Sequence, residues 1–220
     1  MKKLIALVLA LTLVLSASSA FALTIGFSQI GQESDWRTAN TDNVCNAIEE
    51  QGWTLVYSDG QQKQENQVQA LRSFITQGVD YILFTGVVST GWDEVLKEVN
   101  EAEIPLILLD RIPSCVDDIE YAAAFGGDFV EEGKRMVRWL ANYLEKEGRG
   151  DEEINIVMLE GTTGADAQVG RSEGILAELE NHPNMTLVES QTGNFTRAEG
   201  QQVMETFLNS IDDIDVLLSQ

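Results

Sequence analysis

Carboxylates, guanidinium groups and aromatic rings recur in this sequence just beyond apolar runs. Glu33, Trp36 and Arg37 lie in FSQIGQESDWR (27–37), and Asp110 and Arg111 end the run LILLDR (106–111). Further on, Arg171 follows GTTGAD (161–166), and Phe195 sits in GNFTR (193–197). A carboxylate accepts and a guanidinium donates several hydrogen bonds in fixed directions, so the two together can grip hydroxyls by charge-assisted bonds. An indole or phenyl ring packs against the apolar C–H face of a sugar. That mixture suits a sugar ligand. Each residue also has a plainer reading. Ser34 or Asp35 can cap a helix with Trp36 in its core face. Asp110 and Arg111 can form a surface ion pair in a turn, Arg171 can be solvated, and Phe195 can be a core ring.

Other chemistries find little support. The sole histidine, His182, precedes a proline, so neither a zinc constellation nor a nucleophile–histidine triad can be assembled. GTTGAD lacks the lysine of a phosphate-binding loop and reads as a tight turn. The acidic clusters VDDIE (116–120) and IDDID (211–215) lack calcium-loop spacing and read as solvent-facing. Acids are so abundant that chance pairs are expected, and no pair stands out for glycoside hydrolysis. No catalytic residue, metal or cofactor is expected.

The elements that must position these residues alternate between strand and helix. LTIGF (23–27), TLVY (54–57), YILFTG (81–86) and PLILLD (105–110) are short apolar runs suited to strands buried on both faces of a parallel sheet. YAAAFGG (121–127), INIVMLEG (154–161), TLVES (186–190) and VLLSQ (216–220) extend the series. Helical stripes lie between them: Val68, Leu71 and Ile75; Trp92, Val95, Val99 and Ala102; Phe129, Gly133, Val137, Leu140 and Leu144; Val169, Leu176 and Leu179; Val203 and Phe207. Gly52 and Gly78 are placed to stop two helices. Asp128 with Glu131 reads as a capping box, and the polar tract GQQKQENQ (60–67) as a solvated first turn. This alternation predicts an α/β fold with parallel sheets in two lobes, joined near Gly126–Gly127. In such sheets ligands bind beyond the carboxyl ends of the strands, where the polar residues fall.

Composition narrows the class. Lys2 and Lys3, an apolar run and the small residues before Ala22 read as a secretory signal over residues 1–22, too short to span a bilayer. The mature chain is therefore expected in the periplasm or outside the cell. The full sequence carries 36 acidic residues against 14 basic ones, two of the latter being Lys2 and Lys3 of the signal, so the mature chain would be repelled by nucleic acid and by anionic membranes. Cys45 and Cys115 could pair in an oxidising compartment, although spacing says nothing of geometry.

The segments GFSQIGQESDWR (26–37), DGQQKQENQ (59–67), QALRSFITQGVDYI (69–82), EIPLILLDR (103–111) and GNFTRAEGQQVMETF (193–207) together resemble the type I periplasmic sugar-binding proteins of ABC transporters. The likeness is to the ribose/galactose group, and within it to the galactofuranose-binding members. It implies two Rossmann-like lobes, 23–125 and 126–220, that close on a monosaccharide about a hinge near Gly126–Asp128. By position it implies that Trp36 stacks on the sugar with Glu33 and Arg37 nearby, and that Asp110 and Arg111 bind its hydroxyls. Arg171 and Phe195 would contact it from the second lobe. A monomer without cofactor, delivering sugar to a membrane-embedded ABC permease without itself inserting, is the implied function. A sugar sensor addressing a chemoreceptor or histidine kinase is the alternative. In the family the strand matching VLLSQ runs on into an Asn-Asp pair and the rest of the second lobe, so the resemblance also implies C-terminal truncation.

Overall fold

A computed structural model describes residues 22–220; the signal-sequence reading of 1–22 falls, except for Ala22, outside the described residues. Among the described residues, eight strands and six α-helices follow one another almost strictly in alternation. The first sheet contains β1 (Thr24–Gln29), β2 (Thr54–Asp59), β3 (Tyr81–Phe84), β4 (Leu106–Asp110) and β5 (Ala123–Gly126), in the order β2-β1-β3-β4-β5. Helices α1 (Asp35–Glu50), α2 (Gln64–Gln77) and α3 (Asp93–Glu101) make the crossovers. The second sheet, β7-β6-β8, is built from β6 (Ile154–Glu160), β7 (Met185–Thr192) and β8 (Val216–Ser219). Its helices are α4 (Phe129–Lys146), α5 (Asp166–Leu179) and α6 (Arg197–Ser210). All pairings are parallel. The α/β class with parallel sheets is thus the observed one.

Both sheets reverse their winding beside one strand. The chain leaves β1 for β2 on one side and returns to β3 on the other, and β6 stands likewise between β7 and β8. Loops diverge at such points and open a crevice at the carboxyl edge. Residues after β1 and β6 inherit that place from topology, and those after β4 lie at the same carboxyl edge.

The first lobe's core is continuous. Phe74, Phe84, Trp92, Leu96, Val99, Leu106 and Leu108 are buried together. Trp92 meets Phe84 edge-on at 4.8 Å and donates its indole N–H to Val88 O at 2.7 Å, so its polar atom is satisfied as its ring packs. Gly78 takes φ +64° at the end of α2, the left-handed turn its position predicts.

Three local expectations need correction. Gln67, assigned to a solvated turn, is fully buried: its amide donates to Thr85 O at 2.7 Å and its oxygen accepts from Val87 N–H at 3.0 Å. On α5, Val169 and Leu176 are exposed, and the buried face is Ala167, Gly170, Gly174 and Ile175. A Cβ at Gly170 would lie 2.7 Å from Phe129 Cβ, and one at Gly174 would collide with Val130 O, so α5 packs on α4 through small residues. Asp128 caps α4 by accepting from Glu131 N–H at 3.0 Å, but the Glu131 carboxylate pairs with Arg135 and Arg138 instead of closing a box. The acids of IDDID are exposed, as expected, and Asp213 and Asp215 also accept from the side chain and backbone N–H of Asn155 on β6. Cys45 and Cys115 are free thiols, the second buried.

Candidate functional site

The carboxyl edges of the two sheets face each other across a cavity of about 1340 Å³. Glu33, Trp36, Arg37, Asp110 and Arg111 line it from the first lobe, and Arg171 and Phe195 from the second. All seven sequence candidates therefore meet in one place.

Local folding sets the first wall. Ser34 is the N-cap of α1, accepting from Arg37 N–H at 3.1 Å, which turns Arg37 inward on the first helical turn. Arg37 Nε donates to Glu33 Oε1 at 3.0 Å, and its Nη2 to Asp110 Oδ2 at 2.6 Å. Arg111 Nη2 reaches Glu33 Oε1 at 3.3 Å and its Nη1 reaches Val87 O at 3.4 Å. Two acids and two bases thus alternate in a closed, charge-balanced cluster. Arg37 and Arg111 are only 2% and 4% exposed. Burial, then the neighbouring Arg37 charge, lowers the Arg111 guanidinium to about 10 against the pull of Glu33 and Asp110, and it stays charged at neutral pH.

The cluster is not saturated. Glu33 Oε2, Arg37 Nη1 and Arg111 Nε are buried and have no hydrogen-bond partner among the described residues. Leaving such atoms unpaired costs about 1–3 kcal/mol each, more when charged, so they mark a place a polar ligand would satisfy.

Backbone strain gathers here as well. Asp110 takes φ +62°, and Arg111 N–H bonds Leu109 O at 2.8 Å to close a three-residue turn around it. On the facing wall Asn194 and Phe195 take φ +53° and +58°. For a ring-bearing residue that conformation is a true outlier, of the kind that persists at functional sites. The Phe195 ring occupies space a Cβ on Gly161 would fill, and the Arg111 guanidinium lies over it at 4.9 Å. Arg171 pairs with Glu132 at 2.9 Å and lies over the Phe129 ring at 5.1 Å. Trp36 is 58% exposed and lies under the Arg37 guanidinium at 4.8 Å, so its reading as a core residue is wrong.

Residues 25–220 match the periplasmic binding protein domain family. The chain belongs to that family. This periplasmic binding protein domain is 45% identical over 195 residues to the galactofuranose-binding protein YtfQ of Escherichia coli (strain K12), an alignment covering 89% of this chain and 60% of that protein. A crystal structure from Mycobacterium smegmatis in complex with beta-D-fucofuranose is similar at TM-score 0.85 and 49% identity, covering 90% of this chain and 64% of the other. The binding component of the arabinose ABC transporter from Shewanella sp. ANA-3, bound to alpha- and beta-L-arabinofuranose, gives TM-score 0.82 at 42% identity, covering 90% and 64%. The chain thus spans less than two thirds of the length of these relatives.

Sequence reasoning overlooked other cavity residues. Glu132, the partner of Arg171, lies 39 positions away, and no local pattern links them. Glu160 ends β6, where the strand-end rule applies; Gln168 donates to it at 2.7 Å. Trp139 and Leu217 also line the cavity, and both are exposed. Among the described residues, no group of His, Cys, Asp and Glu is arranged for a metal, and no helix is long and apolar enough to cross a membrane.

Proposed function

We propose that the chain binds a neutral monosaccharide in its furanose form, in the periplasm, and releases it unchanged to an ABC permease. The observation that carries this reading is the charge-balanced cluster with three unpaired buried atoms. One acceptor, Glu33 Oε2, and two donors, Arg37 Nη1 and Arg111 Nε, match neighbouring hydroxyls, each of which donates and accepts. The Arg171–Glu132 pair adds no net charge, and the other two lining guanidinium groups, Arg135 and Arg197, are each paired with an acid, Glu131 and Asp35. In this reading Trp36 and Phe195 cover the apolar faces of the ring, and Asp110 and Arg111 bind its hydroxyls. Residues 23–125 and 126–220 act as two lobes that close about Gly126–Asp128. One chain supplies both walls, so a monomer suffices. The furanose form is supported by the galactofuranose, fucofuranose and arabinofuranose named for the relatives.

Calorimetric titration with methyl furanosides and methyl pyranosides of galactose and arabinose tests this, because methylation locks the ring. The furanosides are expected to bind and the pyranosides to bind at least about tenfold more weakly, the discrimination of one misplaced hydrogen-bond partner. Equal affinity for both ring forms would remove the furanose assignment, and silence toward every sugar would remove the reading as a whole.

A further inference from the structure

The turn after β6, dismissed as a phosphate loop, does something else. Gly164, at φ +80°, presents its carbonyl to Ser89 N–H of the first lobe at 2.8 Å. Two residues on, Asp166 Oδ2 accepts from Ile112 N–H at 2.9 Å. Both bonds cross the cleft, and both come from one turn. The two donating segments are themselves linked, because Ser114 N–H, two residues beyond Ile112, donates to Ser89 O at 2.8 Å. Ile112 directly follows the strained Asp110 and its neighbour Arg111, so the second lobe grips the backbone beside the first wall's charged pair. Burial raises the half-buried Asp166 carboxyl above its ordinary value. By contrast, the Arg197–Asp35 pair, which also crosses the cleft, is almost wholly exposed, and such pairs contribute little.

We propose that the 161–166 turn is a closing latch, in which Asp166 is a positioning residue that fixes Asp110 and Arg111 on closure and slows ligand release. Asp166 does not line the cavity, so it acts without touching the sugar. The inference rests on the sugar-binding reading above for its effect on release, and on the backbone contacts alone for its effect on closure.

Two variants, Asp166→Ala and Asp166→Asn, test it with methyl β-D-galactofuranoside as probe. Stopped-flow binding should show release from Asp166→Ala about tenfold faster or more, with the association rate changed less than about threefold. Hydrogen exchange on the same samples should show the Ile112 amide losing protection in Asp166→Ala. Asp166→Asn keeps an acceptor oxygen of the same reach and should stay within about threefold of the unaltered chain in both measurements. Unchanged release together with unchanged Ile112 protection in Asp166→Ala would overturn the latch. So would fast release from Asp166→Asn while Ile112 stays protected. If the unaltered chain binds no sugar, the binding reading falls, and Ile112 exchange still decides the latch on its own.

Discussion

The two walls of the cleft are built differently. The first stands on a five-stranded sheet whose core closes over Phe84, Trp92 and Leu108, and three charged residues of its cluster, Glu33, Arg37 and Arg111, are almost wholly removed from water. The second stands on three strands, with β8 at the edge, and leaves Trp139 66% and Leu217 41% exposed. Its charged pair, Arg171–Glu132, is partly in water. The difference separates two tasks. A rigid, desolvated cluster can hold hydroxyl-binding atoms in place before the ligand arrives, since charges out of water interact strongly and reorganise little. A lighter wall that meets it through a turn and an aromatic ring can move and complete the site on closure.

The sharpest way to break this contrast is to remove a charge from the first wall. Arg37→Ala leaves Glu33 and Asp110 buried with a partner lost, and should destabilise the chain by about 3–5 kcal/mol in urea unfolding. A loss under about 1 kcal/mol would mean the cluster is wet and not preorganised.

Matched leucines probe the sheets themselves. Leu108→Ala, in a fully buried site on β4, should cost about 2–5 kcal/mol, while Leu217→Ala on β8 should stay within about 0.5 kcal/mol. Similar costs at the two positions would erase the distinction between the lobes.

On the second wall, Arg171→Ala should cost under about 1 kcal/mol of stability yet weaken the methyl furanoside about tenfold, read by calorimetry. The smallest effect expected is optical. Trp36 and Trp139 are comparably exposed, one per wall, and sugar should shield Trp36 from acrylamide quenching while leaving Trp139 as it was. Single-tryptophan variants read each separately.

Much of this was legible in the chain. Runs such as YILF and LILLD announced buried parallel strands, and the strand-end rule gathered seven scattered residues into one cavity. What escaped had physical causes. The α5 stripe was misread because its packing face is made of glycine and alanine, which carry little hydrophobic signal, while Val169 and Leu176 point to water. Gln67 is polar by type and buried by circumstance, satisfied by backbone groups that only the tertiary fold brings to it. The Glu132 contact with Arg171 depends on how closely two helices cross, and that closeness is set by Gly170 and Gly174. The left-handed Phe195 has no sequence signature, since the residue type argues against the conformation it adopts.

The central claim is that a charge-balanced, partly unsatisfied cluster receives a neutral sugar. Paired calorimetric titrations with methyl β-D-galactofuranoside and with D-galacturonate, at neutral pH, test it most directly. Saturable binding of one furanoside per chain and no measurable binding of the anion are expected. Galacturonate binding as tightly as the furanoside, or in its place, would contradict it.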